Sequence, residues 1–309
     1  MLGRRSFLAG SAVAVCAAAV TGCSLFVDGP KASRLGVCSW SLGVPLDEVA
    51  VQMRQLGIKK VHLALAPFLA ADERHGGSEG AAAWQRVKDR VASGEWIVTA
   101  TMISFRGEDY STLETIKKTG GIVPDANWEF NRSLVVKGAA LTKELGAKYL
   151  SCHAGFLDVN DPVAYGKYRS RVQELADICT KEGVELILET GQETAEHLAA
   201  FLKTVKNVGV NLDPANMILY AKGDPVEAVK TLAPWIRHVH LKDANLTKNP
   251  GTWGEEVPLG DGQIGLYDFL KALKSNWYRG DFAIEREAGS TRFADIQLAA
   301  RRFREASVL

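Results

Sequence analysis

Short apolar runs alternate along the chain with amphipathic segments of helical length, and glycine follows several of these segments. Glycine suits the first position after a helix because it tolerates the left-handed conformation there. The glycines at these junctions are Gly57, Gly146, Gly183 and Gly280. A repeated order of amphipathic helix, glycine stop and apolar strand predicts parallel strands joined by helices.

Eight apolar runs read as buried strands. They cover residues 35–40, 61–66, 97–103, 148–153, 184–190, 207–213, 236–241 and 281–286. Helices fill the gaps, and the last helix is expected from Arg292 to Ala306. Eight such units in a body whose length is near the barrel norm of about 250 residues predict an α/β fold, a single (β/α)₈ TIM barrel over residues 34–309. A doubly wound open sheet is the alternative, but residues 36–43 lack the glycine spacing of a dinucleotide-binding loop.

The bulk composition is that of a globular protein, with 47% hydrophobic and 24% charged residues among 309. The formal net charge of +1 gives no sign of a basic groove, so we expect no nucleic-acid partner. Two of the five cysteines, Cys16 and Cys23, lie in the N-terminal segment. The other three have neither metal-type nor disulfide-type spacing, which disfavours a disulfide framework.

Residues 1–23 have the order of an export signal, with Arg4-Arg5 followed by an apolar stretch from Ala9 to Val20. That stretch is too short to span a membrane. The paired arginines resemble a twin-arginine signal, and the residues ending at Cys23 resemble a bacterial lipobox. We therefore expect a lipidated Cys23, a linker over 24–33, and a periplasmic or cell-surface protein of a bacterium that touches the membrane only through this anchor. The alternative is an alanine-rich start with a stray cysteine.

Four residues that can bind a hard divalent metal each stand where an apolar run ends: Glu189, Asp213, His240 and Glu285. The C-terminal ends of barrel strands converge on one mouth. Because side chains alternate along a strand, one choice of inward face places all four inside the barrel. Three carboxylates and one imidazole suit Mn²⁺, Mg²⁺ or Co²⁺, and Zn²⁺ is also compatible. The sequence therefore predicts a site for one divalent metal ion.

Each of these residues also has a purely structural explanation. Asp213 precedes Pro214 and could cap the next helix. The other three could form ion pairs or core hydrogen bonds, and the neighbouring His238 and Glu287 could take their places as ligands. The coincidence at four successive strand ends favours the metal site.

Several motifs between the fifth and eighth strands resemble one known family. They are Ile187-Leu-Glu189-Thr, Asn211-Leu-Asp213-Pro-Ala-Asn216, His238-Val-His240-Leu-Lys-Asp243, Pro258-Leu-Gly-Asp-Gly262 and Tyr278-Arg-Gly-Asp-Phe-Ala-Ile-Glu285. Together they resemble the xylose isomerase-like barrel superfamily, in particular its sugar phosphate isomerase/epimerase group. The resemblance implies that the four residues named above bind the metal. It also implies an isomerase or epimerase of a sugar, keto-sugar or cyclitol, in which Glu189 and Glu285 transfer protons through a metal-stabilised enediolate.

Polar residues near other strand ends are candidates for substrate binding. They are His153, Lys242, Asn216 and Arg106. For His153, a hydrogen-bonded core position is an equally open interpretation. We interpret His62 as a structural residue and His197 as a surface residue.

One departure from the superfamily narrows the function. A related branch that repairs abasic DNA with three zinc ions has a histidine where this chain has Asn216, so a nuclease is disfavoured. The glycine-rich stretch 251–265 is expected to be a mobile loop over the mouth that could bind phosphate. A metal-dependent lyase or dehydratase and a non-catalytic sugar-binding lipoprotein remain alternatives. A homo-oligomer is also compatible with the sequence.

Overall fold

Eight parallel strands form a closed barrel in the computed structural model, which describes residues 34–69 and 79–308. The barrel strands are β1 (Leu35–Cys38), β2 (Lys60–Ala64), β3 (Ile97–Ile103), β4 (Tyr149–Cys152), β5 (Glu185–Glu189), β6 (Val208–Leu212), β7 (Ile236–Leu241) and β10 (Asp281–Ile284). Their order around the barrel is β1-β10-β7-β6-β5-β4-β3-β2. The predicted (β/α)₈ fold is confirmed, and each barrel strand overlaps the run that predicted it.

Helices follow the strands and cover the outside of the barrel. They are α1 (Leu46–Leu56), α2 (Glu79–Ala92), α3 (Leu113–Thr119), α4 (Asp125–Glu144), α5 (Pro162–Lys181), α6 (Ala195–Leu202), α7 (Pro214–Leu219), α8 (Pro225–Leu232), α9 (Leu266–Ser275) and α10 (Arg292–Val308). None of these described helices has both the length and the apolar character that crossing a membrane requires. The predicted signal segment 1–23 and linker 24–33 lie outside the described residues and stay predictions.

Three of the four junction glycines have the expected left-handed conformation: Gly57 at φ 64°, Gly146 at φ 69° and Gly183 at φ 76°. Gly280 does not, and a side chain there would instead clash with the Arg237 carbonyl. The left-handed residue after α9 is Trp277, at φ 62°. The glycine at 280 therefore serves close packing of β10 on β7 rather than the helix end.

The glycine-rich stretch is partly a β-hairpin rather than wholly a loop. Strand β9 (Glu255–Val257) pairs antiparallel with β8 (Asp243–Asn245), which follows β7 directly. This hairpin stands at the C-terminal end of the barrel, where β7 delivers its last residues. It thereby places further charged side chains beside the mouth.

Candidate metal centre

The four predicted ligands converge at the C-terminal end of the barrel, on strands that are neighbours in it. The ring nitrogen Nδ1 of His240 lies 3.1 Å from Glu285 Oε2, 3.4 Å from Asp213 Oδ2 and 3.5 Å from Glu189 Oε1. One ligand atom from each residue falls within 4.8 Å of all the others, and all four side chains are buried. We call these four residues the quartet.

Other side chains fix the quartet carboxylates. Glu189 accepts hydrogen bonds from the amide of Asn211 at 3.1 Å and from that of Asn216 at 3.0 Å. Glu285 accepts one from the Trp40 indole at 2.7 Å. Because each carboxylate has its own donor, their orientations toward His240 do not depend on one another.

Asp213 caps a helix and also faces the quartet histidine. Its Oδ1 accepts a hydrogen bond from the backbone N–H of Asn216 at 2.9 Å and so caps α7, whose first residue is Pro214. Its other oxygen, Oδ2, faces His240. The helix cap therefore holds Asp213 in the orientation that the quartet requires.

The charges of the quartet are balanced by nearby cations. Burial would raise the pKa of Glu285, but Lys242 and His240 hold it well below its ordinary value. Burial raises the pKa of Asp213 to about 7, against the lowering effect of Lys242. Burial would lower the pKa of His240, but Cys38 and the carboxylates of Glu285 and Glu189 raise it well above its ordinary value. The quartet thus favours a positive charge at its centre.

The donor set fits a divalent cation. Glu285 Oε2 is buried and lies 3.1 Å from both His240 Nδ1 and Lys242 Nζ, yet it forms no hydrogen bond of good geometry with either. A buried carboxylate oxygen without a hydrogen-bond partner has lone pairs that a bound cation can use. Three carboxylate oxygens and one imidazole nitrogen around a common point are ligands for Mg²⁺, Mn²⁺, Co²⁺ or Zn²⁺. The group could therefore hold a metal ion.

The far side of the His240 ring contacts a second set of buried residues. His240 Nε2 lies 2.9 Å from His62 Nδ1, 3.6 Å from Cys38 Sγ and 3.1 Å from the Asn211 amide nitrogen. Burial and His240 lower the pKa of His62 to about 3, so its ring is neutral and can accept a hydrogen bond. His62 was predicted to be structural; it is buried, as expected, but it directly contacts a quartet residue.

The buried side chain of Lys242 is surrounded by acidic side chains. Its Nζ donates a hydrogen bond to Glu287 at 2.6 Å and lies 3.1 Å from Glu285. Burial would lower its pKa, but Glu285 and Glu287 raise it well above its ordinary value, so the amine stays protonated. Glu256 on β9 is 3.9 Å away. Lys242 therefore supplies a permanent positive charge beside the quartet.

Hydrogen bonds to Asp243 hold the glycine-rich stretch 251–265 in place. The Asp243 carboxylate accepts hydrogen bonds from the backbone N–H groups of Gly260 at 2.8 Å, Gly262 at 3.1 Å and Ile264 at 3.2 Å. A side chain at 262 would clash with this carboxylate. These three backbone N–H groups are therefore already used within the protein and are not available to a phosphate.

His153 lies between the quartet and a further acid, Glu108. Its Nε2 lies 3.4 Å from Glu189 Oε1, and its buried Nδ1 has no hydrogen-bond partner in the described residues. Glu108 accepts hydrogen bonds from the N–H groups of Gly121 and Phe105, and burial raises its pKa while His153 lowers it. The loop after β3 thus brings Glu108 toward the mouth.

Of the remaining predicted residues, some lie in the metal centre and others lie outside it. Asn216 contacts Glu189, and its side-chain oxygen lies 3.5 Å from Lys242, so both belong to the centre. The Arg106 guanidinium lies over the Phe130 ring at 3.3 Å, outside the quartet. His197 is exposed, as predicted.

The two alternative ligands also have other partners. His238 lies near Thr99 and Asn211, at 3.1 and 3.0 Å. Glu287 pairs with Lys242. Neither therefore replaces its neighbour in the quartet.

Residues 107–306 match the family described as xylose isomerase-like TIM barrel. The chain belongs to this family. The structure of a xylose isomerase domain protein from Planctomyces limnophilus is 27% identical, with a TM-score of 0.75 over 88% of this chain and 95% of that one. A D-tagatose 3-epimerase-like protein, 18% identical, shares the fold with a TM-score of 0.66 over 89% and 97% of the two chains.

The curated relatives cover less of the chain. Two match, and this chain spans only 38% and 51% of their lengths. The second is inosose dehydratase of Clostridium botulinum (strain Alaska E43 / Type E3), 27% identical over 154 residues, which is 41% of this chain. The proteins similar to this chain thus include an epimerase-like protein and a dehydratase.

Proposed function

We propose that this protein is a divalent-metal-dependent isomerase or epimerase of a sugar, keto-sugar or cyclitol. The observation that carries the proposal is the pair Glu189 and Glu285, two independently held carboxylates that face the same imidazole. A site that only bound sugar would have no need of two such bases. The family and its epimerase-like fold relatives support the same activity.

Glu189, Asp213, His240 and Glu285 would hold the metal, which would polarise a substrate carbonyl and acidify the neighbouring C–H. One glutamate would then remove that proton, and the other would return a proton to the same or a neighbouring carbon. Trp40 and Asn216 would keep the two carboxylates in place during this exchange.

Lys242 and His153 would orient the substrate. The ammonium of Lys242 could donate a hydrogen bond to a substrate oxygen, and His153 Nδ1 has hydrogen-bonding capacity that no described residue uses. Arg286, one of the arginines at this end of the barrel, already pairs with Glu256 and Asp295 at 2.7 and 2.9 Å. With Lys242 also paired, the mouth favours a neutral, unphosphorylated polyhydroxy substrate.

Solvent deuterium incorporation followed by NMR tests this proposal. We would use the chain from Ser24, loaded with Mg²⁺, and a panel of free sugars, keto-sugars and cyclitols. Deuterium should enter a carbon next to a carbonyl and should stop entering after chelation. Glu189→Gln and Glu285→Gln should each abolish incorporation while the circular dichroism spectrum is retained.

A matched control is Glu185→Gln, on the same strand as Glu189 but paired with Arg237 at 2.9 Å. It should leave exchange intact. Full exchange in either Glu189→Gln or Glu285→Gln would refute the two-base mechanism.

A dehydratase is the second candidate, because the matching curated relative with a named activity is inosose dehydratase. Removal of the same proton followed by loss of a neighbouring hydroxyl would need an acid, and the protonated Lys242 is suitably placed. The same NMR experiment separates the two reactions. Dehydration would give a new enone or diketone signal and the loss of one carbon-bound oxygen, whereas isomerisation conserves the formula.

A further inference from the structure

A groove of about 580 Å³ lies at the end of the barrel opposite the metal centre. Its wall includes Arg34, which precedes β1, and Tyr278 and Arg279, which precede β10. Glu285 of the quartet follows the other end of β10. The groove and the mouth therefore open on opposite faces of the barrel.

Two aromatic side chains are exposed at this groove. Trp277 is 77% exposed and Tyr267 is 49% exposed. Trp277 has the left-handed φ of 62°, which an L residue rarely adopts. Together the two rings give the groove an exposed aromatic component with an apolar body and a polar tip.

The groove is also strongly cationic. Among the described residues, its lining includes Arg34, Lys271, Lys274 and Arg279 and no carboxylate. Within residues 34–69 and 79–308, no ion pair joins the last three to an acid. The Arg279 guanidinium lies 5.4 Å from the centre of the Trp277 ring. Exposed cations thus surround the exposed indole.

We propose that this groove docks on the surface of an anionic lipid bilayer. Tryptophan and tyrosine favour the membrane interface, and lysine and arginine near an anionic surface attract its headgroups. A second copy of the chain is a poorer occupant, because a twofold contact would place these cations against each other. A small free anion would leave the indole uncovered.

The path of the chain agrees with this orientation. Arg34 is fixed in the groove by a 2.8 Å hydrogen bond from its Nε to the Gly280 carbonyl. The predicted lipidation site, Cys23, stands 11 residues earlier, a distance that an extended chain spans in at most about 40 Å. A lipid at Cys23 would hold the groove near the bilayer, and the mouth would face away from it. The groove would then add a second membrane contact to the predicted anchor.

The test uses the chain from Ser24 to Leu309, which lacks the predicted anchor but keeps every strand and helix of the closed barrel. Co-sedimentation is measured with vesicles of equal parts phosphatidylcholine and phosphatidylglycerol, and with phosphatidylcholine alone, in about 0.1 M salt. Binding should require phosphatidylglycerol. Lys271→Ala with Lys274→Ala should weaken it roughly 25-fold, since each cation contributes about fivefold, and Trp277→Ala should weaken it further.

The matched control replaces two exposed lysines elsewhere, Lys137 on α4 and Lys181 on α5, by alanine. It should bind almost as the parent chain does. The proposal is overturned if the parent does not bind phosphatidylglycerol vesicles, or if groove and control variants lose binding equally. It is also overturned if sedimentation velocity shows a dimer that the groove variants dissociate, since the groove would then be a subunit interface.

Discussion

Glu193, four residues after Glu189, should make the stability of the protein depend on pH. Its side chain is only 7% exposed, and no described residue donates a hydrogen bond to its carboxyl group. Burial raises its pKa to about 8 from the ordinary 4.5, against a lowering effect of Lys222. The folded protein therefore keeps Glu193 protonated at a pH at which the unfolded chain has already released the proton.

The sign and size of the effect follow from proton linkage. Between pH 4.5 and pH 8 the folded state binds more protons at this position than the unfolded state, so stability falls as pH rises. A shift of roughly 3.5 units corresponds to at most about 4–5 kcal/mol between the two ends of that window. Below pH 4.5 the contribution is fully present, and above pH 8 it is lost.

Urea denaturation at pH 5, 6, 7, 8 and 9 measures this contribution. The Glu193→Gln variant should match the parent near pH 5 and exceed it increasingly toward pH 8, by about 2–4 kcal/mol. The exposed Glu196, replaced by glutamine, serves as the control and should follow the parent at every pH. If the parent and Glu193→Gln give parallel pH profiles, the carboxyl group is ionised in the folded state and the reasoning is wrong.

Three further outcomes are expected. His62→Leu should weaken Mn²⁺ binding about 10–100-fold, measured by electron paramagnetic resonance, because it removes the hydrogen-bond acceptor beside His240 Nε2. His62→Gln should partly restore the affinity. Equal affinities in the two variants would contradict this role of His62. In a solution that holds the metal at about 100 times its Kd, adding a chelator should lower the melting temperature of the protein by roughly 5–10 °C. An unchanged melting temperature would argue against a bound ion. Arg286→Met should cost about 3 kcal/mol of unfolding free energy, because it leaves the largely buried carboxylates of Glu256 and Asp295 without their cation. A loss under about 1 kcal/mol would show that water replaces the guanidinium.

The fold and the quartet could be predicted because both depend on local patterns. A buried parallel strand reads as an apolar run whatever its neighbours are, and a polar residue at its end marks the mouth. That is why Glu189, Asp213, His240 and Glu285 could be named from four separate segments. Their convergence follows from barrel closure, which needs no knowledge of side-chain contacts.

The partners of the quartet could not be predicted in the same way. The hydrogen bond from Trp40 to Glu285 joins residues 245 positions apart, and an aromatic residue after a strand more often packs in the core. Cys38 and His62 lie inside apolar runs, where burial is the simplest explanation. Glu256 comes close to the metal centre because its strand, β9, pairs with β8. Strand β9 has only three residues, too few to show a periodic hydrophobic pattern. Such contacts depend on tertiary packing rather than on local sequence.

The pairing of β1 with β10 also bears on how the chain folds. Leu35 lies opposite Phe282, so the seam that seals the barrel joins residues separated by almost the whole length of the domain. Contacts of such long range form late, because their loop-closure entropy is repaid only when the intervening units are in place. A chain that stops before residue 281 would expose the edges of β1 and β7, which are templates for aggregation. The ribosome must therefore release nearly all of the protein before the barrel can protect its own strands.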